Sequence, residues 1–143
     1  MLSHVTLFNI FIAALGGACF GILFKIPARY FLHSTILAMI AKLGAGILAE
    51  RSHIGFATFV SAFIVCSISH VFARITGKPA QIFLIPGIMF LVPGTSIYRA
   101  FSGTMAGDFD TAMTLSAQAI MVTVSISFAL LLANWIVPSR KSL

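Results

Sequence analysis

The chain has 143 residues, of which 59% are hydrophobic and only 8% charged, with nine Lys and Arg against three Asp and Glu. Soluble domains carry roughly a quarter charged residues, so this composition, with its mean hydropathy of +1.07, is that of an integral membrane protein. The net charge of +6 is spread over short connections and makes no continuous basic patch, which excludes nucleic-acid binding and leaves membrane orientation as the use of the charge.

Apolar windows at 5–24, 31–49, 54–73, 80–105 and 112–137 predict an all-α fold of about five transmembrane helices forming a single transmembrane domain over 1–143, each helix long enough for roughly 30 Å of hydrocarbon. The first window ends in the small-residue cluster Gly16-Gly17-Ala18-Cys19 but has no basic residue before Lys25, so it reads as a retained span and not as a cleaved signal. Gly17-x-x-x-Gly21 permits close helix contact there. The second window carries a small edge, Ala41, Ala45 and Ala49, and Lys42 near its middle. A basic residue at that depth costs about 2.5–3.5 kcal/mol on insertion scales. Glu50, Asp108 and Asp110 all fall at span ends, so Lys42 calls for a cavity, an acid from a partner, or the carboxylate of a solute. Cys19 and Cys66 lie inside spans and read as packing residues without a disulfide or metal. His33 and His70 have no acidic neighbour in sequence and no metal-ligand spacing, so no metal and no proton relay are assigned to them.

The fourth window is different. Ile85-Pro86-Gly87-Ile88-Met89-Phe90-Leu91-Val92-Pro93-Gly94 repeats a Pro-Gly pair after seven residues, and each proline removes the N–H that would satisfy the carbonyl one turn back, at Ile82 and at Met89. The window is therefore predicted to be broken at Pro86-Gly87 and at Pro93-Gly94, a pattern tolerated where the freed backbone faces protein or a wet cavity. Its midpoint falls at Val92 or Pro93. The outer half-helix then starts after Pro93-Gly94 with Thr95 and Ser96 as capping residues, and its free N–H groups offer an anion site. Pro93, Gly94, Thr95, Ser96 and Lys42 are the candidate substrate-binding residues. Arg99 joins them, lying about 9 Å past Pro93 along a helix, where it either snorkels outward beside Tyr98 or turns in to a carboxylate. A proline kink that only shapes packing is the alternative.

In the last window Ser116, Thr123, Ser127 and Asn134 follow helical spacing on one face. They suit a cavity wall, or equally hydroxyls that bond a carbonyl one turn back. With five spans the loop charges alternate: Lys25 with Arg29, Arg74 with Lys78, and the tail Arg140 with Lys141 lie inside, and Asp108 with Asp110 outside, giving an N-out, C-in topology. No metalloprotease motif, paired intramembrane aspartates or nucleophile beside a base is present, so neither catalysis nor a cofactor is expected.

The stretch from Ile85 to Arg99, with its P-G-x-x-x-L-V-P-G core and Tyr98-Arg99, resembles the signature of the threonine/serine exporter family, and the Phe24-Lys25-Ile26-Pro27-Ala28-Arg29 turn and five-span size resemble its small-subunit type. One departure is Phe90, where a further proline is expected in many relatives. The resemblance implies a ten-span exporter in a bacterial inner membrane, assembled with a large five-span subunit and moving L-threonine or L-serine out of the cytoplasm. C4-dicarboxylates such as succinate are the alternative substrates for split forms, and proton coupling is implied by the family alone. Two other readings remain open from the residues: a non-transporting scaffold for a partner subunit, and a homo-oligomeric channel.

Overall fold

The computed structural model describes residues 2–137; Arg140 and Lys141 of the basic tail lie outside the described residues. Within them the regular structure is helical throughout: α1 (Leu2–Leu23), a short 3-10 turn (Ala28–Tyr30), α2 (Phe31–Ala49), α3 (Ile54–Thr76), α4 (Gln81–Met89), α5 (Gly94–Met105) and α6 (Phe109–Ile136). Ala28–Ala49, Ile54–Thr76 and Phe109–Ile136 are each long and apolar enough to cross a membrane; α4 and α5, bent by 42°, qualify together as one broken span, and Ile10–Leu23 is a shorter apolar helix. The chain is thus a multi-pass membrane protein.

Helix ends are set by local chemistry. α1 stops where Lys25 adopts a left-handed backbone, φ 52°, while Lys25 N–H donates to the Ile22 carbonyl and Ile26 N–H to that of Gly21, at 3.0 and 2.9 Å. These are the two closing bonds of a Schellman motif, with lysine in the place glycine usually takes. α5 closes in the same way: Gly107 (φ 80°) donates to Thr104 and Asp108 to Gly103. Asp108 then starts α6, its carboxylate accepting from Thr111 N–H at 3.1 Å, as expected of an N-cap.

The helices pack in the order α1, α2, α3, α6, α5, with α4 lying against α2 and α3 and touching α1. The core is formed where Leu37 and Ala41 of α2, Val65 of α3, Phe83 of α4, Leu91, and Val122 and Ile126 of α6 meet. Gly17 seats α1 on α2, a Cβ there falling 2.8 Å from that of Ala38.

The break expected at Pro86-Gly87 is not present. α4 runs unbroken from Gln81 to Met89 with Pro86 inside it, although Pro86 has no N–H for the Ile82 carbonyl. Packing supplies the reason: Pro86 and Gly87 are both buried, and a Cβ on Gly87 would stand 2.7 Å from Val65 Cγ1 and 3.5 Å from Leu37 Cβ. Gly87 lets the α4 backbone sit directly on α2 and α3, and those contacts hold the helix through the proline. The interruption is confined to Phe90–Pro93, where Leu91 N–H reaches Ile88, Gly94 N–H reaches Val92, and Pro93 (φ −79°, ψ 48°) leads into α5.

Register gives the molecule an overhang. A Cβ on Gly55, in the first turn of α3, would meet Met121 and Ser125 of α6 at 3.0–3.2 Å, so the first twelve residues of α6, Phe109 to Ile120, run past the start of α3 by about 18 Å. α5 packs back along this projecting part, Gly103 approaching Asp108 and Ala112, and α6 is its one substantial neighbour among the described residues. The interruption is therefore halfway along its own segment yet level with the α2–α3 turn end of the bundle.

Candidate functional site

A cavity of about 260 Å³ opens at the interruption. Its walls are Phe90, Leu91, Pro93, Thr95 and Ser96 from the break, Lys42, Ala45, Gly46 and Ala49 from α2, Ile54 and Thr58 from α3, and Val122 from α6. Four of the six residues singled out for substrate binding, Lys42, Pro93, Thr95 and Ser96, thus face one space. The floor is small because α2 offers Ala45, Gly46 and Ala49 there. Ala45 and Ala49, read from sequence as a packing edge, line this cavity, and only Ala41 of that edge is fully in the core.

Among the described residues lining the cavity, Lys42 is the one with an ionisable side chain. Lys42 is exposed on the isolated chain, and among the described residues no carboxylate pairs with it. α5 starts at the cavity wall. Gly94 N–H donates to Val92 and Ile97 N–H to Pro93, while the amides of Thr95 and Ser96 have no backbone acceptor within the described residues, so the partial positive end of α5 points at the same space as the ammonium. Thr58 commits its hydroxyl hydrogen to the Ile54 carbonyl at 2.8 Å and presents only acceptor lone pairs. A cation and unpaired amides around a pocket of this size attract an anionic group on a small solute.

The remaining candidates are distributed as follows. Gly94 is exposed, and a Cβ there would meet nothing within 4 Å, leaving its backbone open to approach. Arg99 is exposed one turn beyond Thr95 and outside the cavity wall. Ser116 and Thr123 line a second, larger cleft of about 470 Å³ between α5 and α6, and Ser127 and Asn134 lie in neither. Thr123 donates to Ala119 at 2.8 Å and Ser127 to Thr123 at 3.0 Å, each satisfied within its own helix. The single helical face thus divides, with Ser116 and Thr123 at a cleft, Ser127 on the outer surface and Asn134 beside His70 of α3.

Two histidines lie in the helix bundle away from this cavity. His33 sits edge-on to Phe72 at 5.0 Å, with Tyr30 and Phe83 beside it, and its Nδ1 is buried without a hydrogen bond. His70 is 2% exposed on α3, with the Asn134 side chain of α6 as its polar neighbour and Arg74 near it. Cys66 is buried and Cys19 is exposed on α1, both as free thiols; the packing role expected of Cys19 does not apply within this chain. Sequence reading missed Gly46, Ile54, Thr58, Phe90, Leu91 and Val122 as cavity walls. Of these, Phe90 and Leu91, inside the interrupted motif, carried a sequence signal.

A protein-family model described as threonine/serine exporter, ThrE, matches residues 9–136. No curated protein and no solved structure matches the chain.

Proposed function

The chain belongs to the threonine/serine exporter family, a family of transporters, and from that premise we propose that it is the small subunit of a secondary exporter for small carboxylate-bearing metabolites, L-threonine and L-serine first. In this reading it has five spans, N-out and C-in, in a bacterial inner membrane, and works beside a large five-span subunit. C4-dicarboxylates such as succinate are the alternative cargo. The observation that carries the reading is the cavity at the interruption, where the Lys42 ammonium and the unpaired Thr95 and Ser96 amides face one space. The solute carboxylate lies between them. Pro93 keeps the backbone broken so that those amides stay free, Gly94 lets the solute approach the main chain, and Lys42 supplies the charge that offsets desolvation of the carboxylate.

Reconstitution tests it. Vesicles holding the chain with the large subunit are expected to show counterflow of labelled threonine, serine or succinate, and vesicles with either chain alone are not. Counterflow undiminished when the small chain is left out overturns the assignment. A scaffold role makes a different prediction: Lys42→Ala would lower the abundance of the partner and leave transport per assembled complex unchanged.

A further inference from the structure

The overhang of α5 and α6 poses a problem of solvent. It presents large apolar side chains: Met105 and Met113 are each 78% exposed, and Phe101 and Ile120, 66% and 65% exposed, line the cleft between α5 and α6. Large side chains of this kind each lose about 1.5–3 kcal/mol when left in water instead of an apolar phase, so the overhang belongs in lipid. The α2–α3 turn, which stops short of its tip, then lies recessed within the membrane. That turn carries Glu50, Arg51 and His53, all exposed, together with non-helical backbone, and hydrocarbon accommodates neither. Water must reach it.

α5 is built for such a boundary. At 100° per residue Thr95, Arg99 and Ser102 share one arc, and Arg99 falls between the directions of Thr95 and Ser96, one turn farther on. Thr95 and Ser96 already face the cavity, so this arc continues from the cavity over the recessed turn, while Ile97 and Phe101 lie on the opposite side, at the apolar cleft shared with α6. Thr95, Arg99 and Ser102 are all exposed, and among the described residues no carboxylate pairs with Arg99. Asp108 and Asp110 lie at the far tip, beyond the end of α5.

We infer that α5 is one wall of a water-filled vestibule running from the cavity past the α2–α3 turn, and that Arg99 is the cation in that wall that draws carboxylate-bearing solutes between cavity and bulk water. This rests on the exporter reading for the solute, but the vestibule itself rests on register and polarity alone. An arginine beside low-dielectric walls focuses its field and raises the local concentration of anions.

Thiol labelling in the assembled complex tests both parts without measuring transport. In a Cys19→Ser background, Thr95→Cys and Ser102→Cys are expected to react with membrane-impermeant methanethiosulfonates added from the α2–α3 turn side, and Ile97→Cys and Phe101→Cys are not. At Ser102→Cys the anionic sulfonatoethyl reagent is expected to react about tenfold faster, relative to the cationic trimethylammonium reagent, than at a control thiol in bulk water, and Arg99→Gln is expected to remove that preference while Arg99→Lys keeps it. Equal labelling of both faces, or none on the Thr95 and Ser102 face, overturns the vestibule. Labelling without a preference that depends on Arg99 overturns its role. Either result leaves counterflow through the Pro93 cavity standing, and loss of counterflow with normal labelling strikes the cavity and spares the vestibule.

Discussion

Lys25 shows how a single residue can be strained for position. A non-glycine residue in the left-handed region costs about 1–2 kcal/mol, and Lys25 takes that conformation so that Ile22 and Gly21 carbonyls at the end of α1 are both satisfied. Lys25→Gly is expected to stabilise the chain by about 1 kcal/mol, read as a higher midpoint of thermal unfolding in detergent, with Lys25→Val shifting it the other way. Gly87 is constrained by its neighbours and not by its own backbone. Gly87→Leu must push Val65 or Leu37 aside and is expected to destabilise by about 1–3 kcal/mol or more. Neither residue could be read correctly from sequence. Left-handed backbone is signalled by Gly or Asn, which Lys25 is not, and the role of Gly87 depends on two helices earlier in the chain, whose contacting residues Val65 and Leu37 lie more than twenty positions before it.

At the scale of elements, two Pro-Gly pairs of identical chemistry have opposite outcomes. The pair at 86–87 is buried against α2 and α3, which hold α4 straight; the pair at 93–94 borders a cavity and an exposed surface, so nothing restores the helix. Local sequence marks where a helix is weak, and packing decides whether it breaks. Pro86→Ala gives position 86 an N–H for the Ile82 carbonyl and is expected to raise stability by about 1 kcal/mol without moving the bend, which paramagnetic labels at either end of the broken span would report. The α6 start offers a pH test. The hydrogen bonds from Thr111 hold the Asp108 carboxyl below its usual range, so its contribution to folding is complete above the ordinary carboxylate value of about 4 and is lost as pH falls through the lower folded value. Asp108→Asn keeps an acceptor for Thr111 and is expected to flatten the acid limb of the stability profile. An unchanged limb in that variant would remove the cap from the explanation.

For the whole molecule, much of the architecture was legible because lipid leaves the backbone few options. The window at 31–49 coincides with α2, 54–73 falls within α3, and 112–137 overlaps α6 almost throughout. The register between helices was not legible. Nothing in the sequence says that Gly55 meets Met121 and Ser125, yet that contact creates the overhang and sets the interruption level with the end of α2 and α3. The convergence of Lys42 with Pro93, Thr95 and Ser96 has a mixed origin. An unpaired lysine and a broken helix each marked themselves by defying the solvent, whereas Thr58, Ile54 and Val122 are ordinary residues that packing alone brings to the wall.

That convergence is also where the account is most exposed to measurement. Replacing Pro93 with Ala and Gly94 with Leu, two positions outside the buried core, joins α4 to α5 and occupies the free amides. Counterflow of labelled threonine, serine and succinate, normalised to assembled complex in vesicles, is expected to fall to background in this variant while insertion and assembly with the large subunit stay intact. Wild-type counterflow per complex from a chain in which α4 and α5 have become one continuous helix would contradict the account.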